Sequence, residues 1–487
     1  MMKFFVKVSP NNRDKDHSTH GIMMELTVGL LAVFVFAMVF YNQEYGFNYV
    51  LHGLGLMGTS IGVALVTEVL YALATKKALG SHLKNSFTLV TAIILTLTVP
   101  IGTSFFAIGV ASFFAIFFGK LVFGGFGHNI FNPAGVGRMV IFATLVGSTT
   151  ADITTSATPI SAMKNAGWMI KDAAVTEKFL EQFGGLTNLF VGWYPGAIGE
   201  TSALVILLVG LYLAYRKVLD WKVPVVYVGS VFLFTTVIAL VNGIGLWYPM
   251  FHILSGGLMF GAVFMATDPV TNPTTISGRI IFSIGFAMFT VLIRLQSNLP
   301  GGVVYALLIM NMVSPLIDKL TDGWSIYSVK KYTLAIVATF VLGLAVTFFA
   351  GSELEPKAVE FPSEDGGIKI FSDSTANLPE ILETVEEGDL VTYKISAPGY
   401  HALEGGDANI LKVTLNKATK TVDSVTVVQA NDTPELGTRI EEESFLEQFK
   451  GITFDDKEAS IDAISGATVS STSVAKAVRI AIEEIGK

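Results

Sequence analysis

Long apolar segments separated by short polar stretches dominate the first 350 residues of the chain. A simple membrane-spanning helix needs about 20 apolar residues, and several of these segments are shorter, so tilted, broken or re-entrant helices are expected among them. The pattern predicts a polytopic α-helical membrane protein with about 10–11 transmembrane helices. The apolar segments lie at about 22–41, 49–74, 86–100, 103–123, 135–149, 201–215, 223–241, 249–267, 279–293, 302–317 and 332–350.

From residue 390 onward, apolar and polar residues alternate. Runs at 391–395, 410–415 and 421–428 predict strands, and the polar stretch 416–420 predicts a hairpin turn between the last two. Helical spacing of apolar residues predicts helices over 441–450 and 470–485. The C-terminal part is therefore expected to be a small α+β domain.

These patterns divide the chain into five consecutive parts. We predict a cytoplasmic N-terminal tail over 1–20 and a membrane domain over 21–325 with a long outer loop at about 150–200. A further transmembrane helix follows at 326–351. An acidic tether over 352–389, punctuated by Pro and Gly, leads to the small domain at 390–487. The tail is polar and has neither the short apolar core nor the cleavage site of a secretory signal peptide.

Composition excludes several kinds of chemistry. Only 15% of the residues are charged, against about 25% in soluble domains. The chain contains no cysteine, which excludes disulfides, thiolate zinc sites, Cys-ligated iron–sulfur clusters and CxxCH haem attachment. We identify no metal site and no catalytic side chain of the chain's own, and His128 is typical of a packed or interfacial histidine. Any redox reaction must therefore use another cofactor.

Charge is distributed unevenly along the chain. Residues 351–487 contain 26 acidic and 12 basic residues, a net charge of −14, whereas the remainder has a net charge of +6. An acidic domain is a poor partner for nucleic acid, since phosphate binding requires positive charge. With the N-terminus inside and alternating crossings, the basic loops near Lys76, Arg216 and Lys330 all fall on the cytoplasmic side. The loop 150–200 and the C-terminal domain then fall outside.

One short motif occurs twice, once in each of these outer regions. Residues 152–158 read Asp-Ile-Thr-Thr-Ser-Ala-Thr and residues 462–468 read Asp-Ala-Ile-Ser-Gly-Ala-Thr. Small residues surround a hydroxyl in each copy, so that a bulky group could approach Thr158 or Thr468. The second copy opens directly into a predicted helix, whose N-terminal end suits a phosphate. The alternative for either copy is a plain helix N-cap.

The second copy resembles the flavin-attachment motif of the FMN-binding subunits of Rnf complexes and of sodium-pumping NADH:quinone oxidoreductases. In that family, a transferase of the ApbE type joins FMN to the threonine through a phosphoester. Residues 431–438 and 445–451 also resemble the family, although Asp432 and Glu435 stand where Glu and Gly are usual. The resemblance implies an FMN-binding domain.

The membrane domain resembles RnfD, the membrane component of the same Rnf complexes. The similarity rests on Gly124–Arg138, on Gly256–Thr271 and on the Thr158 motif, which has Ser156 in place of the usual Gly. Together the two resemblances imply a fusion of the RnfD and RnfG components, in which the helix over 326–351 supplies the anchor of the second part. They imply two covalent FMN groups and a noncovalent riboflavin whose contacts cannot be placed from the sequence.

The resemblance also assigns site residues. Thr158 and Thr468 are expected to carry FMN, and Asp152 and Asp462 are expected either to be recognised by the transferase or to cap a turn. The other residues expected to bind cofactor, or alternatively to form an ordinary loop, are Ser465, Gly466, Ala467, Ser470, Thr433, Leu436, Gly437 and Thr438.

Two polar residues precede prolines in apolar surroundings within the membrane domain. Asn132 lies before Pro133, and Asp268 lies before Pro269. Polar groups are costly at such positions and often mark an ion or ligand path. The alternative is that both only satisfy backbone groups freed by the prolines.

We therefore expect a membrane subunit of an ion-translocating Rnf-type ferredoxin:NAD oxidoreductase, which passes electrons through two FMN groups and is coupled to Na⁺ or H⁺ transport. It would work with subunits carrying Fe–S clusters and NAD/FMN sites, with the ApbE-type transferase and with membrane lipid, in a bacterial or archaeal cell (inner) membrane. It lacks cluster ligands and would not complete the reaction alone. The alternatives are a flavin-bearing electron conduit without ion pumping and a solute channel or transporter.

Overall fold

The computed structural model divides the chain into two compact units, of which the first holds most residues up to 354 and the second the residues from 355. The structure describes residues 18–145, 153, 158–297, 302–322, 329–354, 356, 367–371, 378–399, 402, 406–432, 437–456, 459–462, 464 and 468–485.

The described residues up to 354 are mainly helical, as their apolar pattern predicts. The first helices are α1 (Thr19–Tyr45), α2 (Phe47–Ala74), α3 (Leu79–Ser86), α4 (Thr88–Thr98), α5 (Phe105–Ile116) and α6 (Pro133–Thr144). The long loop at about 150–200 contains α7 (Pro159–Asn165), α8 (Ala173–Glu181) and α9 (Gly185–Val191). The remaining helices are α10 (Ala203–Tyr215), α11 (Lys222–Asn242), α12 (Trp247–Leu254), α13 (Leu258–Phe260), α14 (Ile276–Gln296), α15 (Val303–Thr321) and α16 (Val329–Ser352).

Six helices of the described chain are long and apolar enough to cross a membrane, namely α1, α2, α11, α14, α15 and α16. The pair formed by Trp247–Leu254 and Leu258–Met265 is bent by 61° and counts as a seventh span if it crosses as one. Three shorter apolar helices lie at Thr88–Thr98, Phe105–Leu121 and Ala203–Tyr215. The prediction of a polytopic helical membrane protein is confirmed, and several spans are short or broken, as the segment lengths indicated.

Two π-helical turns interrupt the membrane helices. One, Phe117–Leu121, continues α5, and the other, Gly261–Met265, continues α13. Each is followed by a polar residue and a proline, Asn132–Pro133 after the first and Asp268–Pro269 after the second. Such turns occur often at functional sites.

Close packing brings α6 onto α5 at one glycine. A Cβ atom at Gly137 would lie 2.7 Å from the carbonyl oxygen of Ala111, which no side chain tolerates. The absence of a side chain at this position therefore sets the approach of the two backbones.

The C-terminal domain contains a four-stranded antiparallel sheet in the order β2-β3-β4-β5, formed by β2 (Glu380–Glu387), β3 (Leu390–Ala397), β4 (Asn409–Asn416) and β5 (Thr421–Gln429). The strands β1 (Gly367–Lys369) and β6 (Ser460–Asp462) pair separately. Two further helices are α17 (Glu443–Leu446) and α18 (Thr468–Ile485). The buried residues of β3 and β4 pack with Val474, Ala477, Val478 and Ala481 of α18 in one core.

One local expectation for this domain is confirmed, and two others differ from the structure. The hairpin over 410–428 is present, with β4 and β5 paired across the predicted turn. The helix predicted over 441–450 is instead two 3₁₀ turns, Gly437–Glu441 and Glu447–Phe449, around the four-residue α17. The stretch predicted as a tether contains β1 and β2, because their partner strands lie far along the chain or beyond the predicted boundary.

Candidate functional site

The first candidate attachment residue, Thr158, lies immediately before α7. Its Oγ1 accepts a hydrogen bond from the backbone N–H of Ser161 at 3.2 Å and lies 2.8 Å from the Ser161 hydroxyl. The Ser161 hydroxyl also donates to the Thr158 carbonyl oxygen at 2.9 Å. Thr158 therefore caps α7 while remaining partly exposed. Asp152 and Ser156 of the same motif lie outside the described residues.

The helix that follows Thr158 is held against the break between α12 and α13. Ile160 is buried, and a Cβ atom at Gly256 would lie 2.9 Å from its side chain. Gly256 has a φ of +68°, a backbone conformation that favours glycine. The bend in this helix pair therefore provides the surface on which the Thr158 turn rests.

Two charged residues that the sequence analysis did not single out stabilise the same break. The Arg294 guanidinium is fully buried and donates to the carbonyl oxygens of His252 at 2.7 Å and Ser255 at 3.1 Å, at the C-terminal end of α12. The Glu200 carboxylate lies beside Gly257, the residue before α13, where an added Cβ would be 2.6 Å from Oε1. A cation at the C-terminus of a helix complements the helix dipole, so the Arg294 guanidinium stabilises the end of α12. The signal in the sequence was an arginine at the end of an otherwise apolar segment.

The second candidate, Thr468, is the first residue of α18. Ser470, two residues later, is buried, and its hydroxyl donates to Asp432 Oδ2 at 2.5 Å. Asp462 is exposed at the end of β6, and its backbone N–H donates to Gln448 Oε1 at 2.6 Å. Ser465, Gly466 and Ala467 lie outside the described residues.

The stretch 431–438 adjoins the same helix end. Gly437 is buried and opens a 3₁₀ turn, and Thr438 is partly buried beside it. Thr433 and Leu436 lie outside the described residues. Asp432, noted in the sequence only as a departure from the family pattern, accepts the hydroxyl of Ser470 in the first turn of α18.

Asn132 and Asp268 line one cavity in the membrane unit. The Asn132 side chain accepts from the Gly135 N–H at 3.2 Å, and Asp268 accepts from the Val270 N–H at 3.0 Å. Each side chain therefore accepts a hydrogen bond from a backbone N–H shortly after its proline, and both also face a shared space.

The cavity is small and partly polar. Its volume is about 80 Å³, whereas an engineered cavity that binds benzene measures roughly 150 Å³. Water or a cation fits a space of this size, but a three-ring flavin does not. The riboflavin that the resemblance implies is therefore not assigned to this cavity.

A buried ion pair that the sequence analysis also missed lies at the edge of this cavity. Lys120, in the first π-helical turn, lines the cavity and contacts Glu68 of α2, with Nζ 2.7 Å from Oε1. His82 Nε2 lies 2.6 Å from the other carboxylate oxygen. The two charges are 52 residues apart in the chain, so no local pattern reveals them.

Comparison with known proteins assigns both units. Residues 5–326 match the model of the NQR2, RnfD, RnfE family, and residues 406–483 match the FMN-binding domain.

Three relatives, each the D component of its complex, illustrate the match to the membrane unit. The one from the proton-translocating ferredoxin:NAD(+) oxidoreductase complex of Clostridium ljungdahlii is 38% identical over 66% of this chain and 95% of its own length. The one from the Na(+)-translocating ferredoxin:NAD(+) oxidoreductase complex of Acetobacterium woodii is 33% identical over 67% of this chain and 96% of its own length. The one from the ion-translocating oxidoreductase complex of Stutzerimonas stutzeri is 33% identical over 47% of this chain and 72% of its own length. The chain thus belongs to the NQR2, RnfD, RnfE family and adds an FMN-binding domain to the membrane unit that defines it.

Proposed function

We propose that this chain is a membrane subunit of an ion-translocating, Rnf-type ferredoxin:NAD oxidoreductase, in which the RnfD-like and RnfG-like parts are fused. It relays electrons between other components of the complex that carry Fe–S clusters and NAD/FMN sites. The names of the relatives support this function, and the FMN-binding domain supports the flavin.

Two covalent flavins carry the relay in this proposal. The supporting observation is that the repeated motif supplies one threonine to each unit, each at the start of a helix. An ApbE-type transferase would join FMN to each hydroxyl through a phosphoester. FMN supplies a carrier that takes up and releases electrons singly or in pairs. The chain's part is to hold each flavin at a fixed place.

Fluorescence of the denatured chain on a gel tests the two attachment sites. Thr158→Val and Thr468→Val should each remove part of the flavin fluorescence, and the double variant should remove all of it. Intact mass should count two FMN groups in the wild type and one in each single variant. Residual covalent flavin in the double variant would refute the assignment.

Matched controls separate attachment from local disturbance. Ser161→Ala removes the hydroxyl that contacts Thr158 but keeps the acceptor, and Thr472→Val changes a second threonine of α18. Both variants should retain two FMN groups.

Ion movement is assigned to the path past Asn132 and Asp268, whose cavity admits a cation. Asp268→Asn should lower ion transport in vesicles while the two covalent flavins remain. Coupling to Na⁺ or H⁺ is distinguished by the dependence of transport on sodium. Electron transfer without any ion movement in the wild type would favour the electron conduit instead. A chain without any flavin would favour a solute channel or transporter.

Sidedness is proposed from the distribution of basic residues in the loops. If the bent pair and the shorter helices α4, α5, α6 and α10 also cross, the two motifs lie outside. Because the chain lacks cysteine, each introduced thiol is the only one. Lys171→Cys and Asp423→Cys should react with an impermeant maleimide in intact cells, and Ser81→Cys should not. All three positions are exposed. Labelling of Ser81→Cys alone would invert the topology.

A further inference from the structure

The FMN-binding domain contains a buried carboxylate directly beneath the first turn of α18. Asp432 is only 5% exposed, and its Oδ2 accepts the Ser470 hydroxyl at 2.5 Å and the Asn409 side-chain amide at 3.4 Å. The Asn409 side chain is itself fixed, since its Oδ1 accepts the Asn431 backbone N–H at 2.8 Å. The carboxylate therefore links the strand end at 409, the turn at 431–432 and the start of α18.

Two glycines leave room for this carboxylate. A Cβ atom at Gly437 would lie 2.5 Å from Asp432 Cγ, and a Cβ atom at Gly399 would overlap Oδ2. The backbone thus forms a close-fitting pocket around one side chain. A short hydrogen bond from a hydroxyl to a carboxylate is among the stronger ones in proteins, and the N-terminal end of a helix favours an anion.

The contact has a specific place in the repeated motif. Ser470 is the third residue of α18 and stands two positions after the proposed acceptor, Thr468. The equivalent position after Thr158 is Ile160, which packs against the α12–α13 break, and Thr158 instead contacts Ser161. Because Ile160 has no hydroxyl, the carboxylate–serine contact of the second motif has no counterpart among the described residues that follow Thr158.

We propose that Asp432 is a positioning residue for flavin attachment at Thr468. It anchors the first turn of α18 through Ser470 and so presents the acceptor to the transferase in one arrangement. This inference rests on the proposed function, namely that Thr468 carries FMN. It adds a residue outside the repeated motif, and it predicts different requirements for the two attachment sites of one chain.

The test measures the rate of flavin attachment in cells. The full chain is produced first in a host lacking the transferase, the transferase is then induced, and gel fluorescence is followed with time. A Thr158→Val background reports Thr468 alone. In it, Asp432→Ala and Ser470→Ala should each slow attachment by about tenfold or more, since each removes the same charge-assisted hydrogen bond. The double variant should be no slower than the slower single variant, because the two residues act through one contact.

Asp432→Asn separates hydrogen bonding from charge. Its amide oxygen can still accept from Ser470 and Asn409 but carries no charge, so attachment should be slowed less than in Asp432→Ala. The reciprocal control places Asp432→Ala in a Thr468→Val background, where attachment at Thr158 should be unchanged. Ser470→Ala is a small change in a helix, so it tests the contact even if Asp432→Ala weakens the fold.

Three results would overturn the inference. The first is attachment of FMN to Thr468 at the wild-type rate in Asp432→Ala. The second is a double variant whose rate is lowered by the product of the two single effects. The third is an effect of Asp432→Ala on the rate at Thr158 as large as its effect at Thr468. A wild-type chain that takes up no FMN at Thr468 refutes the proposed function itself. That outcome differs from normal FMN attachment at Thr468 that does not depend on Asp432, which refutes only the inference.

Discussion

Lys120→Met removes the cation from the buried pair beside the membrane cavity. The methionine side chain fills much of the space of the lysine stem but cannot donate hydrogen bonds. Lys120 Nζ contacts Glu68 Oε1 at 2.7 Å, the Ser86 carbonyl oxygen at 2.5 Å and Thr88 Oγ1 at 2.9 Å. Side-chain exposure is 3% for Lys120 and 0% for Glu68. The substitution therefore leaves a carboxylate without its cation in a buried site.

The expected magnitude follows from the cost of an unpaired buried charge. Breaking a buried ion pair by removing one partner costs about 3–5 kcal/mol. Glu68 keeps hydrogen bonds from Thr88 at 2.7 Å and a contact with His82 at 2.6 Å, which favours the lower end of that range. The membrane unit is larger than the domains of 150–250 residues in which 1 kcal/mol lowers the melting temperature by roughly 2–4 °C, so the lower value applies and we expect a decrease of about 6 °C.

The assay is the fraction of monodisperse protein that remains after heating in detergent. Glu68→Gln with Lys120→Met removes both charges and should recover much of the loss, because replacing a buried pair by neutral groups is often nearly neutral. Lys84→Met, at an exposed lysine of α3, is the matched control and should change little. A Lys120→Met melting temperature within about 2 °C of the wild type, or a double variant weaker than both single variants, would refute the reasoning.

Substitutions at three further residues test other parts of the structure. Arg294→Met removes the two hydrogen bonds to the carbonyl oxygens at the end of α12 and should lower the free energy of unfolding in detergent by about 3 kcal/mol, whereas Arg294→Lys should recover part of this loss. Gly437→Ala places a Cβ atom 2.5 Å from Asp432 and should cost about 1–3 kcal/mol, measured as faster proteolysis of the FMN-binding domain. Burial alone would raise the pKa of Asp220, but the hydrogen bond from Arg279 lowers it below the ordinary value. Because the folded-state pKa is the lower one, this stabilisation is present above the ordinary pKa of aspartate and is lost as the pH falls through the lowered value. The heat resistance of Asp220→Asn in detergent should therefore decrease less than that of the wild type as the pH is lowered through this range.

Features with a local cause could be predicted from the sequence. The apolar segments predict membrane helices because a helix in lipid satisfies its own backbone groups. The hairpin over 410–428 is local for a similar reason, since its strands are joined by a short polar turn. The helix predicted over 470–485 has its apolar residues at helical spacing, and α18 starts only two residues earlier. The repeated motif, read along the chain, was enough to select Thr158 and Thr468.

Contacts between distant residues depended on the tertiary structure. The strand β1 pairs with β6, so residues predicted as a tether join the FMN-binding domain. The helix predicted over 441–450 is divided into short turns, with Phe445 in α17 and Phe449 in the 3₁₀ turn that follows, and both side chains are buried. Apolar spacing identifies which residues face the core, but it does not show where one turn ends and the next begins.

The three charged contacts absent from the sequence analysis share one physical reason. Glu68 with Lys120, Arg294 with the end of α12, and Asp432 with Ser470 each join residues 38 or more positions apart. A buried charge is stable only where a partner from another element reaches it. The sequence by itself determined which segments enter the membrane and which threonines stand in the repeated motif. Only the tertiary structure decided which charged groups meet beside the cavity and beneath the second motif, because such meetings depend on how separate helices and strands pack.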